Sequence, residues 1–229
     1  MNGTVVRPTA PRAARTRGRL FTEAAPGVWV ALADGCPPRG HLTEADLAGA
    51  AALPPHRAAE RLAARRALRG LLAARFPEAQ DADVVYCARG RPALAGRPDI
   101  GISVSHDGDA VAACAALGHA VGLDVQHPPP SVPDTLLRRC ARGRAEALSR
   151  LPPRLRAREF AWLWTVQEAC VKAAGTGLAG RPWTIDVPLP ATHGTWGPHH
   201  WTSLRGRTTV PLSVAYTALP DRTRVPETP

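Results

Sequence analysis

The sequence predicts an α+β protein built as two similar halves. Helical patterns precede closely spaced strand patterns, and that order runs through the chain twice. The stretch 127–133, with three consecutive prolines, makes a poor strand or helix and reads as a crossing loop between the cycles. At 229 residues the chain can bury one sizeable core or two small ones. Aromatic residues make up only 5%, so aliphatic side chains must carry the packing.

In order along the chain, residues to Arg19 carry five arginines and no acid, and predict a flexible basic arm over 1–19. The arm lacks the apolar core of a secretory signal. Val28–Leu32 predicts a strand, closed by the Gly35–Gly40 turn. Thr43–Leu53 and His56–Phe76 predict helices, the second bounded by Pro54-Pro55 and Pro77. That helix has an apolar stripe of Leu62, Leu68, Leu71 and Leu72, with Arg57, Arg61, Arg65 and Arg69 laddered beside it. Val84–Cys87 is a short strand before the Arg89-Gly90-Arg91-Pro92 loop. Ile102–Ser105, Ala110–Leu117 and Val121–Gln126 follow as strands, with Asp107-Gly108 and Gly118-His119 suited to hairpin turns. The second cycle predicts helices over Asp134–Leu148 and Leu155–Ala174, then strands at Trp183–Val187, Trp201–Leu204 and Val210–Ala218. The N-terminal half is expected over 20–120, the C-terminal half over 121–219, and a flexible Pro-containing tail over 220–229.

The net charge is +10 and the pI near 10.8, which points to a negatively charged partner: nucleic acid, a phosphorylated small molecule or an acidic protein. The arginines are spread widely and show no aromatic interleaving, which argues against nucleic acid. No run approaches the roughly 20 apolar residues of a membrane span, so a cytoplasmic protein is expected. Five cysteines show no C-x-x-C pair and no histidine at zinc-ligand spacing. Cys114 and Cys170, among apolar neighbours, read as buried small hydrophobes.

All but one of the 29 basic residues are arginine. The exception, Lys172, shares a helix face with Trp164 and Glu168 at i, i+4, i+8 spacing. An ordinary helix ion pair would account for Glu168 and Lys172 alone. Asp124 and Gln126 alternate with Leu123 and Val125, so both polar side chains leave one face of a strand. A strand carboxylate, a helix carboxylate and an amide oxygen form an oxygen-ligand set suited to Mg²⁺, with Mn²⁺ also possible. His106 in Ser-His-Asp is not a triad, because a triad is spatial and has no reason to be contiguous.

Gly-Arg-Pro (90–92), Ser-Val-Ser-His (103–106), Val-Gly-Leu-Asp-Val (121–125) and Trp-Thr-x-x-Glu-Ala-x-x-Lys-x-x-Gly-x-Gly-Leu (164–178), in that order, resemble the Sfp-type 4′-phosphopantetheinyl transferases. The resemblance runs from about Arg57 to Leu178, and more faintly to the strand at 210–218. It implies a monomeric pseudo-dimer of two α+β halves with coenzyme A in the cleft between them. It further implies Mg²⁺-dependent transfer of the phosphopantetheine arm to a serine of an acidic acyl, peptidyl or polyketide carrier protein, the holo-[acyl-carrier-protein] synthase reaction, releasing 3′,5′-ADP. By position Asp124, Gln126 and Glu168 would hold the metal, while Arg61, Arg91, Ser105, His106 and Lys172 would contact coenzyme A. Asp124, Glu168 and Lys172 would carry the chemistry, with the base either Glu168 or Lys172. Gln126 stands where the family commonly has glutamate, and Gln167 where it often has lysine, removing a charge expected near the site. These two departures leave room for an alternative, a catalytically weakened coenzyme A or carrier-protein binder.

Overall fold

The computed structural model describes residues 18–219. Along the first half run β1 (Gly18–Ala25), β2 (Val28–Asp34), α1 (Glu44–Ala51), α2 (Pro55–Arg75), β3 (Val84–Tyr86), β4 (Pro92–Leu94), β5 (Ile100–Asp107) and β6 (Ala110–Leu117). The second half contains β7 (His119–Val125), α3 (Asp134–Cys140), α4 (Ala145–Ser149), α5 (Pro153–Ala174), β8 (His193–Trp196), β9 (His199–Ser203) and β10 (Leu212–Ala218). The expected arm up to residue 17 and the tail from 220 lie outside the described residues. Gly18 and Arg19, which the sequence assigned to the arm, instead open β1.

Two four-stranded antiparallel sheets form, ordered β1-β2-β6-β5 and β7-β10-β9-β8. The three-strand blocks β2-β6-β5 and β7-β10-β9 share one topology, each with a long helix, α2 or α5, between its first and second strands in sequence. The extra strands sit at opposite ends of the two blocks. The mixed α+β architecture of two similar sheet-and-helix units is therefore the observed fold.

Packing follows from strand alternation. Even-numbered β6 residues, including Ala112 and Cys114, meet Val121, Leu123, Leu212 and Val214 of the facing sheet. Odd-numbered Val111, Ala113 and Ala115 face Leu68, Leu71 and Leu72 of α2. Small side chains on both faces of β6 let both layers approach. Each buried leucine contributes about 1.5–3 kcal/mol. On the outer face of the second sheet, α5 covers Trp201 and Ala215.

The edges of β5 and β7 meet, and this seam places the site. Leu123 N donates to Ser103 Oγ at 3.1 Å and Val125 N to Ser105 Oγ at 3.4 Å. Gly118 was expected to close a hairpin. It instead passes the chain between sheets, because β6 pairs with β2 and β5 whereas β7 pairs with β10.

Two further expectations are corrected. Trp183–Val187 is not a strand: Pro182–Thr184 is a 3₁₀ turn entered through Arg181 at φ 52°, and the Thr184 and Ile185 N–H groups bond back to Arg181 O and Pro182 O instead of to a neighbouring strand. The helix expected over Asp134–Leu148 breaks between Cys140 and Ala145, where Arg142 has φ 39° and Gly143 follows. Strands β1, β4 and β8 were not foreseen.

Two of the laddered arginines serve the fold. Arg69, 0% exposed, donates to Asp46 Oδ2 at 2.8 Å and to the Gln80 and Ala82 carbonyls, both at 2.7 Å. Arg65 Nε lies 3.2 Å from Asp46 Oδ1. Burial would raise the Asp46 carboxyl, but these guanidiniums outweigh it and hold it below the usual carboxylate range. Asp46 also closes the capping box with Thr43 that starts α1.

Candidate active site

The site begins at Gly122. A Cβ on this residue would lie 2.1 Å from Ala169 O, 2.3 Å from Ala173 N and 2.9 Å from Lys172 Cβ. Only glycine lets α5 rest directly on the β7 backbone. That contact brings Lys172, from the last turn of α5, over Asp124 on the strand face that looks at the helix. The helix ends one turn on at Gly175, whose φ of 67° suits a glycine cap.

Lys172 Nζ donates to Asp124 Oδ1 at 2.6 Å, to Leu123 O at 3.1 Å and to Ser105 Oγ at 3.3 Å. An ammonium has three N–H groups, so all three are engaged. Ser105 is buried, and its hydroxyl donates to Asp124 Oδ1 at 2.9 Å. The strand β5 therefore supplies the third corner of an Asp124–Lys172–Ser105 knot across the sheet seam.

Glu168, one turn before Lys172, completes the charge pattern. Burial raises its carboxyl, the nearby Asp124 charge raises it further, and Lys172 opposes both. Burial likewise outweighs Lys172 and Ser105 at Asp124, whose carboxyl also sits above the usual range. Glu168 Oε1 is buried with no hydrogen-bond partner among the described residues. Two carboxyls lie in the field of one ammonium, which pairs with Asp124 alone, and a buried Glu168 oxygen is left without a donor. Such a corner is deficient in positive charge and fits a divalent cation held by oxygen ligands.

Lys172 also borders a cavity of about 250 Å³, with Tyr86, Arg89, Arg91, Ser103 and Gly175 around it. Arg91 is placed there by the turn that closes with Cys87 N on Arg91 O at 3.0 Å, and its Cδ comes within 3.3 Å of a Cβ on Gly175. Arg61 reaches the cavity edge through Tyr86: its guanidinium carbon is 5.8 Å from the ring centroid, and its buried Nε has no partner among the described residues. Arg65, 5.7 Å from the same centroid, donates to the Tyr86 hydroxyl at 2.9 Å.

The structure thus gathers Asp124, Glu168, Lys172 and Ser105 in one corner and sets Arg91 and Arg61 beside its cavity. His106 points the other way along β5, with Nε2 3.9 Å from Glu60 of α2. Gln126 follows the last residue of β7, where its N–H donates to Pro211 O at 3.0 Å. Gln167 does not border the site: fully buried, it donates from Nε2 to Cys140 O and Ile185 O, both at 2.8 Å. The charge that a lysine would bring has no place in that apolar setting. Sequence reasoning placed Gly122 and Ser103 in its motifs without giving either a role, and did not single out Tyr86. For Gly122 the signal was present, since a glycine within an apolar strand marks a close backbone approach.

No curated protein matches the chain. Residues 120–214, which carry β7, α5, the Asp124–Lys172 pair and Glu168, match the family model of the 4′-phosphopantetheinyl transferase superfamily.

Proposed function

We propose that the protein is an Sfp-type phosphopantetheinyl transferase that moves the 4′-phosphopantetheine arm of coenzyme A to a serine of an acidic carrier protein. The single observation behind this reading is the corner of Asp124 and the partly buried Glu168 around one ammonium, Lys172, which pairs with Asp124 beside an arginine-lined cavity. Asp124 and Glu168 are the residues that would hold Mg²⁺, or Mn²⁺, with Gln126 offering an amide oxygen or a water-mediated contact. A bound divalent cation supplies neutralisation of the pyrophosphate charge as the phosphorus–oxygen bond breaks.

The chain's own groups divide the remaining work. Lys172, with all three N–H groups engaged, is an unsuitable proton acceptor and acts as a fixed cation that orients Asp124. Glu168 is the base through the carboxylate oxygen that does not face the cation: it takes the proton of the carrier serine hydroxyl. The serine oxygen then bonds to the phosphorus bearing the pantetheine arm. The bond from that phosphorus to the oxygen of the departing 3′,5′-ADP breaks, and the electron pair leaves with the ADP. Arg91 and Arg61 bind the phosphates of coenzyme A, and His106 would reach them by turning from Glu60.

Intact-mass spectrometry of apo carrier proteins incubated with the protein, coenzyme A and Mg²⁺ tests this. The expected result is a gain of one phosphopantetheine arm, abolished by EDTA. Lys172→Arg should slow transfer at least about 100-fold, because a planar guanidinium cannot meet the same three acceptors. Binding of coenzyme A with no mass gain on fatty-acid, polyketide or nonribosomal-peptide carriers would instead establish a non-transferring binding protein.

A further inference from the structure

A second cluster lies outside this corner, where the ends of the two sheets come together. Asp34 ends β2, Asp109 lies in the β5–β6 turn, and His127 follows β7. One ligand atom from each lies within 4.8 Å of the other two. His127 Nε2 is 3.3 Å from Asp109 Oδ1 without hydrogen-bond geometry, and the atom is buried with no hydrogen-bond partner among the described residues. The ring's other nitrogen, Nδ1, meets Asp107 Oδ2 at 3.3 Å, and the same carboxylate oxygen accepts the His127 backbone N–H at 2.6 Å. An imidazole whose Nδ1–H is held by a carboxylate presents the Nε2 lone pair outward, which is the arrangement behind metal-bound histidines.

Asp34 supplies an independent reason for a cation. It is only 6% exposed and forms no ion pair among the described residues. The one hydrogen bond to its carboxylate among those residues is donated by Thr209 Oγ1 to Oδ2 at 2.5 Å. A carboxylate taken that far out of water calls for a positive partner. We infer that Asp34, Asp109 and His127 bind a divalent cation of the zinc class, with Asp107 positioning His127. One imidazole and two carboxylates suit such an ion better than they suit Mg²⁺, and three protein ligands leave a position for water. The ligands come from both sides of the sheet seam, so the bound ion would pin the two sheets together.

Titration of the untagged, metal-stripped chain with ZnCl₂, read by calorimetry and by native mass spectrometry, tests the inference. The expected result is one tightly bound ion per chain and a higher melting temperature. His127→Ala should abolish both. Asp107→Asn should weaken binding about 10- to 100-fold while leaving the stoichiometry intact. Glu168→Gln should bind the ion like the parent, which separates this site from the Asp124–Glu168 corner whatever that corner does. Equal zinc uptake by the parent and His127→Ala, loss of uptake in Glu168→Gln, or no tight uptake by the parent would each overturn the assignment. Cobalt substitution gives a second reading: visible absorption bands of a bound imidazole–carboxylate ion are expected in the parent and absent from His127→Ala.

Discussion

At the scale of single residues, Asp124 and Glu168 make a corner that the fold holds at a cost. Both carboxyls sit above their ordinary range, with burial the leading cause at each. Such a group weakens the native state once the pH exceeds its folded pKa, and that penalty fades as the pH falls to the ordinary carboxylate value. Glu168→Gln removes one such charge. In metal-free buffer near pH 8 it should therefore melt a few degrees above the parent. The difference should shrink as the pH is lowered toward 4.5, the ordinary value for this carboxyl. Thermal melts across that range check the sign. The same variant should lose transfer activity by about 100-fold or more if Glu168 is the base. Much of this corner was legible beforehand. Alternation put Asp124 on one strand face, and helical spacing put Glu168 and Lys172 on one helix face. The inward turn of Ser105 and the burial of Gln167 were not legible, because each depends on a partner at least 18 residues away.

At the scale of elements, the contact between α5 and β7 sets the geometry of the Lys172–Asp124 pair. The obstacles to a Cβ at residue 122 include two backbone atoms, which cannot rotate aside as a side chain could. Gly122→Ala must push α5 off the strand. A loss of about 1–3 kcal/mol in stability is expected, together with a fall in kcat, since the 2.6 Å pair spans that interface. Gly143→Ala, with nothing within 4 Å of its Cβ, is the matched control and should behave like the parent. Urea unfolding and steady-state transfer assays read both effects. The elements that sequence reasoning found are those with strong punctuation: α2 and α5 between prolines or glycines, and β6 with its unbroken apolar run. It missed β1, whose Arg19 and Glu23 disguise an edge strand, and β8, a four-residue strand of mixed polarity. The 183–187 stretch misled because its apolar residues pack as an irregular segment against α5, a choice that periodicity alone does not reveal.

At the scale of the whole molecule, the charge of +10 acts as a field rather than through any one contact. The substrates proposed above, coenzyme A and an acidic carrier, are both polyanions, so on that reading KM for each should rise steeply between 50 and 500 mM NaCl, while kcat changes far less. Ionic screening reaches about 8 Å at physiological salt, and the half-buried Asp124–Lys172 pair at 2.6 Å is screened less than the exposed arginines. Steady-state kinetics at several salt concentrations separates the two; a kcat that falls in parallel with the rise in KM would place the salt-sensitive contacts inside the site. The doubling of the architecture was legible in the repeated order of helices and strands. The sheet switch at Gly118 was not, since a glycine turn between two strands looks the same whether the strands pair or part.

The engagement of Lys172 has a practical consequence for spectroscopy. It is the only side-chain amine in the chain, so reductive methylation with a carbon-13 label would mark this one side chain and the α-amino group. Two methyl resonances would then report on the whole protein. Because dimethylation leaves Lys172 a single N–H in place of three, its resonance would report how the corner rearranges around Asp124 once two of those hydrogen bonds are lost. Its three hydrogen bonds should also make it the slower of the two amines to react, so the order in which the signals appear would itself measure how often the corner opens.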